Sequence, residues 1–219
     1  MNFEGKDWGG DLSKVHDILF FTGNKQATLV EAGGLTEPVI EVKTDQKGQY
    51  LVGFTNQSTF IELKADEFED YVLSEGLESI VEQRKELGES DKPGRELYRR
   101  CAKTLVQLGE GADSEAFGHD FQLPLELIAL NNPYKADTAL QSFQLTFQDK
   151  PLANAQVLVW HKDGENVNRR VRRTDENGKI EFPLTASGKW MVSTVHMERI
   201  EDNPEADWQS YWGSYTFGY

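Results

Sequence analysis

Between residues 143 and 197 the chain is cut into short runs of β-forming residues at nearly even spacing, and no helical period interrupts the series. Phe143, Leu145 and Phe147 alternate with polar residues, Asp149-Lys150-Pro151 turns, and 155–160 forms the next apolar run. Residues 169–173 follow, then Asp175-Glu176-Asn177-Gly178, then 180–184, and Ser187-Gly188 leads into 190–197. Period-two alternation puts successive side chains on opposite faces of a strand. Turn residues at such intervals, without an intervening helix, specify stacked antiparallel strands. The expected unit is an antiparallel β-sandwich, immunoglobulin-like or prealbumin-like, over 122–219. The ending alternates Trp208, Ser210, Trp212 and Ser214 against Tyr211, Tyr215 and Phe217, a final strand whose aromatics either close the core or present a stacking face to a sugar or partner.

Upstream, residues 12–63 also read as strands. Thr22-Gly23-Asn24, Ala32-Gly33-Gly34, Asp45-Gln46-Lys47-Gly48 and Thr55-Asn56-Gln57-Ser58 supply turn chemistry between them, and 50–54 and 59–63 have strand composition. At Asp66 the period changes. Asp66 and Glu69 have capping-box spacing, Phe68, Tyr71 and Val72 share a helical face, and Gly76 breaks the helix. Leu73, Leu77, Ile80, Val81 and Leu87 carry a second helical stretch to Gly88. Pro93 then suits the first turn of a third helix, with Leu97, Cys101, Ala102, Leu105 and Leu108 inward and Gly109 as its stop. Residues 110–120 read as a loop and 121–130 as a strand. The expectation is a mainly β protein in two parts: 1–121, a sandwich-like β region with a helical insertion at about 65–109, and 122–219, the sandwich.

Acidic residues outnumber basic ones 37 to 23, a formal charge of −14, which repels nucleic acid and anionic lipid. The single cysteine, Cys101, excludes an intrachain disulfide and a Cys-based zinc site; it reads as a small core residue. No apolar run approaches the ~18 residues that span a bilayer. Met1-Asn2-Phe3-Glu4-Gly5 has neither the basic start nor the apolar centre of a signal peptide. Nucleophile elbow, phosphate loop and His-Glu-x-x-His are missing, so a non-enzymatic role is expected.

Several blocks together resemble one family. They are Arg95-Glu96-Leu97-Tyr98-Arg99-Arg100-Cys101-Ala102-Lys103, Leu125-Glu126-Leu127-Ile128-Ala129-Leu130-Asn131-Asn132-Pro133, Gln148-Asp149-Lys150-Pro151-Leu152 and Arg173-Thr174-Asp175-Glu176-Asn177-Gly178. Gly188-Lys189-Trp190, Val195-His196-Met197 and Asp207-Trp208-Gln209-Ser210-Tyr211-Trp212 complete the set. The chain is similar over nearly its whole length to the bacterial domain-of-unknown-function family 4198, whose members are commonly described as periplasmic components of nickel or cobalt uptake. The resemblance implies a periplasmic or envelope-associated binding protein, with a membrane transporter component or an envelope protein as partner. Members of the family begin with a signal peptide and a mature segment opening on a His followed by Phe or Trp. By that comparison Met1 reads as an internal or engineered start.

For a metal, the residues offer His196 and Glu198, which share a strand face, and Asp207 beyond the loop at 200–206. An imidazole with carboxylates suits a borderline divalent cation such as nickel, cobalt or zinc. One His with distant carboxylates is a poor match to a three- or four-ligand site, and a half-buried, hydrogen-bonded His196 at a strand end is the structural alternative. His161 reads as an exposed hairpin-end residue, and His119 and His16 as structural. Asp175-Glu176-Asn177-Gly178 has some calcium-loop character but fits a hairpin turn better. Arg169, Arg170, Arg172 and Arg173 form the basic cluster, able to meet a small anion or lipid phosphate or to serve as a solvated strand. Two functions remain: an accessory component of divalent-metal uptake, or a structural or adhesive module that binds a protein or glycan without metal.

Overall fold

The computed structural model describes residues 14–22, 26–28, 46–109, 115–135 and 139–219. The turns at 23–24, 32–34 and Asp45 and the loop at 110–114 lie outside the described residues. In chain order come β1 (Val15–Phe21), β2 (Gln26–Thr28), β3 (Gly48–Asn56), β4 (Thr59–Leu63), α1 (Ala65–Ser74), α2 (Glu78–Glu86) and β5 (Gly94–Leu108). They are followed by β6 (Leu125–Ala129), β7 (Leu140–Phe147), β8 (Lys150–Pro151), β9 (Gln156–Asp163), β10 (Asn166–Arg173), β11 (Lys179–Pro183), β12 (Lys189–Arg199) and β13 (Trp208–Gly218).

Two sheets stack face to face. The larger runs β10-β9-β12-β13-β5-β3-β1-β2, with β4 also on β5; the smaller runs β11-β7-β6, with β8 on β7. Their facing side chains form one core, in which Leu51, Cys101, Leu105, Val159, Val192 and Tyr215 of the larger sheet meet Leu125, Leu127, Phe143, Leu145 and Phe182 of the smaller. Fully burying side chains of this size contributes about 1.5–3 kcal/mol each. The protein is a mainly β sandwich with a small helical insertion, as the even spacing of strands predicts. The Asp175–Gly178 turn is not a hairpin, because β10 pairs with β9 in one sheet and β11 with β7 in the other. It carries the chain between sheets, and Asp175 Oδ1 accepts from the backbone N–H groups of Asn177 and Lys179, both at 2.8 Å.

The segments on either side of residue 121 share the larger sheet. β5 pairs in parallel with β13, from Glu96 opposite Trp208 to Thr104 opposite Thr216. On its other edge β5 carries β3 along its C-terminal half and β4 along its N-terminal half. The turn at 55–58 therefore interrupts a strand pair rather than closing a hairpin.

β5 replaces the third helix expected at 93–109, so the helical insertion ends with α2. The residues at 97, 101, 102, 105 and 108 satisfy a helical period, but those turned inward along the strand are Cys101, Lys103 and Leu105 on one face and Gly94 and Glu96 on the other. Two of these five are charged, which hides the period of two. Lys103 Nζ lies 2.6 Å from Glu126 Oε1 and 2.7 Å from the His119 carbonyl, while Glu126 accepts from the N–H groups of Phe121 and Leu123. Burial pushes Lys103 down and Glu126 up. The short contact and the further hydrogen bonds on both partners oppose this, so we read the pair as ionised.

The helices cover the other face of the larger sheet, where Phe68, Val72 and Ile80 pack on Met197 and Trp208. α1 begins two residues earlier than its sequence suggests: the Lys64 N–H donates to Glu67 Oε2 at 3.3 Å, in place of the Asp66/Glu69 box. Gly76, at φ +76°, separates α1 from α2. Gly94 has no room for a Cβ, which would lie 2.2 Å from the Phe68 ring.

Candidate functional site

β12 places His196 and Glu198 two residues apart on the face turned to the smaller sheet, with His196 Nε2 3.7 Å from Glu198 Oε1. The imidazole rests on the Phe147 ring, centroids 4.2 Å apart, and lies beside Tyr211 and, one strand further, Arg99. Burial holds His196 below the usual imidazole value despite Glu198. The third expected ligand is elsewhere. Asp207 is bidentate to Arg95, at 2.9 Å to Nε and 2.8 Å to Nη2, and 3.7 Å from Arg199; the Arg95 hydrogen bonds hold its carboxyl below the usual range. Arg199 in turn binds Glu89 at 2.8 Å, so Asp207 belongs to a chain of charges that ties the 87–93 connection to β5 and β12. Among the described residues no group of three or more His, Cys, Asp or Glu could hold a metal ion.

The other candidates have structural roles. His161 is stacked on Trp190 at 4.0 Å, with Nε2 3.0 Å from the Ser187 carbonyl, so it is packed rather than exposed as expected. His119 stacks on Phe21, and His16 pairs with Asp17. In the basic strand Arg169 lies over Trp160 and Arg173 pairs with Glu78. Cys101 is buried, and burial pushes its thiol up to about 11, the opposite of a reactive thiolate.

A concave site lies on the opposite face of the larger sheet. α1 supplies Tyr71, β4 supplies Ile61 and Leu63, β5 supplies Glu96, Tyr98 and Arg100, and β13 supplies Trp212, around a cleft of about 290 Å³. Parallel pairing of β5 and β13 creates it, because Tyr98 sits opposite Ser210 and Arg100 opposite Trp212 on one face. Tyr71 and Trp212 stack, centroids 5.5 Å apart and rings 9° from parallel. Glu96 is 2 % exposed. Its Oε1 accepts from the Tyr71 hydroxyl at 3.3 Å and from Ser210 Oγ, and the Trp212 indole N–H donates to that same Ser210 hydroxyl at 3.0 Å. Burial raises Glu96 above the usual carboxyl range, against these donors. It also raises Tyr71 well above the usual phenol range, with Glu96 adding to the effect.

The sequence marks this site faintly. Of the aromatic ending, Trp208, Tyr215 and Phe217 close the core as expected, while Trp212 is half-buried and faces the cleft. Glu96, Tyr98 and Arg100 sit on the segment read as a helix, where Tyr98 would point away from Glu96 and Arg100. Tyr71 and Glu96 are 25 residues apart, with no spacing signal to join them.

Fold and cleft together define a two-sheet β-sandwich with a helical insertion and a preformed, ligand-sized recess between helix and sheet. Residues 2–198 match the profile of a family described as Domain of unknown function (DUF4198). The match spans most of the chain, which belongs to that family. No curated protein matches it. No described helix is long and apolar enough to cross a membrane.

Proposed function

We propose that the protein is a non-enzymatic binding protein of the bacterial envelope, with the cleft between α1, β4, β5 and β13 as its ligand seat. The observation that carries this reading is a preformed recess with apolar and aromatic walls and one buried carboxyl at its base, the composition expected of a small-molecule site. Envelope placement rests on what the family resemblance implies. The buried, unactivated thiol and the tying of Glu96 to two hydroxyls favour binding over catalysis.

A second reading, an accessory role in nickel or cobalt uptake, draws on one observation: His196 and Glu198 approach on a common face. Two ligands fall short of a selective transition-metal site, and Asp207 is held by arginines. Calorimetric titration separates the readings. With n-butylammonium and glucose as organic probes and nickel, cobalt and zinc chlorides as metal probes, the proposal expects an organic probe to bind, the binding to vanish in Trp212→Ala and to persist in His196→Ala. Metal binding tighter than ~10 µM that disappears in His196→Ala, or no organic binding, would overturn it.

A further inference from the structure

Resting on the reading of this cleft as the ligand seat, we infer that its ligand class is the organic ammonium ion, with the positive group held against Glu96 and the apolar part lying along Trp212, Tyr98 and Ile61. Glu96 is almost fully buried, yet no cation among the described residues lies within ion-pair distance of it. The described partners of its carboxyl are uncharged donors, the Tyr71 and Ser210 hydroxyls on Oε1 and the neighbouring Trp212 indole. A buried carboxylate without a counter-charge is costly, and a cation delivered by the ligand removes that cost.

The rings point the same way. Arg100 places its guanidinium 5.5 Å over Tyr98 and 5.9 Å over Trp212. The aromatic faces at the rim are thus already arranged as cation acceptors, while the guanidinium remains out of reach of Glu96. Rings that accept a cation and a carboxyl line the same cleft, a combination that suits alkylated ammonium groups displacing the guanidinium from the rings. The walls Ile61 and Leu63 are apolar, and 290 Å³ leaves room for about ten water-sized groups, enough for a head of this kind with a short chain. The net charge of −14 steers cations towards the molecule without choosing among them; the choice falls to the cleft.

A neutral sugar also stacks on aromatic rings, and the two classes part at Glu96. A sugar hydroxyl can donate to a glutamine as it does to a glutamate, whereas an ammonium ion loses its counter-charge. The test compares choline with its uncharged carbon isostere, 3,3-dimethyl-1-butanol, and with glucose, by calorimetry on the full chain and on Glu96→Gln. We expect choline to bind at least ~10-fold more tightly than the isostere, a difference of about 1.4 kcal/mol, and Glu96→Gln to erase that preference. Equal binding of choline and the isostere by the unaltered protein, a comparison that needs no variant to fold, would overturn the inference. So would undiminished choline binding in a folded Glu96→Gln. Binding of glucose or the isostere without preference for charge, lost in Trp212→Ala, would overturn the ammonium assignment and leave the cleft as a seat. Failure of all three probes would remove both.

Discussion

His196 shows how one side chain's surroundings decide its chemistry. A free imidazole titrates near ~6.5, but here it lies against the Phe147 ring and is largely buried. Burial penalises the protonated form more than Glu198 favours it, so the folded value lies below the unfolded one. The sign follows: the stability contributed by His196 is present above the unfolded value and is lost as pH falls through the folded value. An NMR titration of the His196 ring should give a midpoint below that of a model histidine. A midpoint at or above it would mean that Glu198, and not burial, governs the site. Glu96 behaves in the opposite sense. Its raised carboxyl contributes stability below the unfolded value that is lost as pH rises through the folded one, and an ammonium ion bound beside it would offset that loss.

β5 is the element on which most of the molecule turns. It bonds β13 along one edge and β3 and β4 along the other, and it contributes side chains to the core between the sheets and to the cleft. It was also the least legible element, and the reason is physical. Sequence patterning equates inward with apolar, and β5 turns Glu96 and Lys103 inward while leaving Val106 and Leu108 exposed. Where inward positions are apolar, as in Phe143, Leu145 and Phe147 of β7 or Ile180 and Phe182 of β11, the alternation could be read directly. The helices were legible for the same reason, since Phe68, Val72 and Ile80 are apolar at helical spacing and all buried. Lys103 further ties β5 to residues 119–126. Lys103→Met would leave Glu126 charged and buried with only backbone partners, at a cost of about 3–5 kcal/mol. Combining it with Glu126→Gln should recover part of that loss. Chemical denaturation checks both, and a single variant as stable as the unaltered chain would show that the pair is not ionised in the folded protein.

For the whole molecule the consequence is that residues on both sides of position 121 build one sheet and one core, and that the cleft draws on both. Tyr71, Ile61 and Glu96 come from the first part and Trp212 from the second; the parallel β5–β13 pairing aligns them. A parallel pairing between distant segments has no local sequence signature, since neither strand's own pattern names its neighbour. The His196–Glu198 pair, two residues apart on one strand, was legible because strand geometry alone brings it together. Asp207 was misplaced because its position depends on Arg95, 112 residues away.

The chain contains five tryptophans, so the indole N–H region of a nitrogen-15 NMR spectrum reports on few, separable positions. Titrating choline into the full-length chain while following those resonances tests the assignment of the cleft most directly. A saturable shift of the Trp212 indole, with those of Trp160 and Trp190 unmoved, is the expected result. A Trp212 resonance that does not move at millimolar choline, or one that moves only together with Trp160 and Trp190, would contradict it.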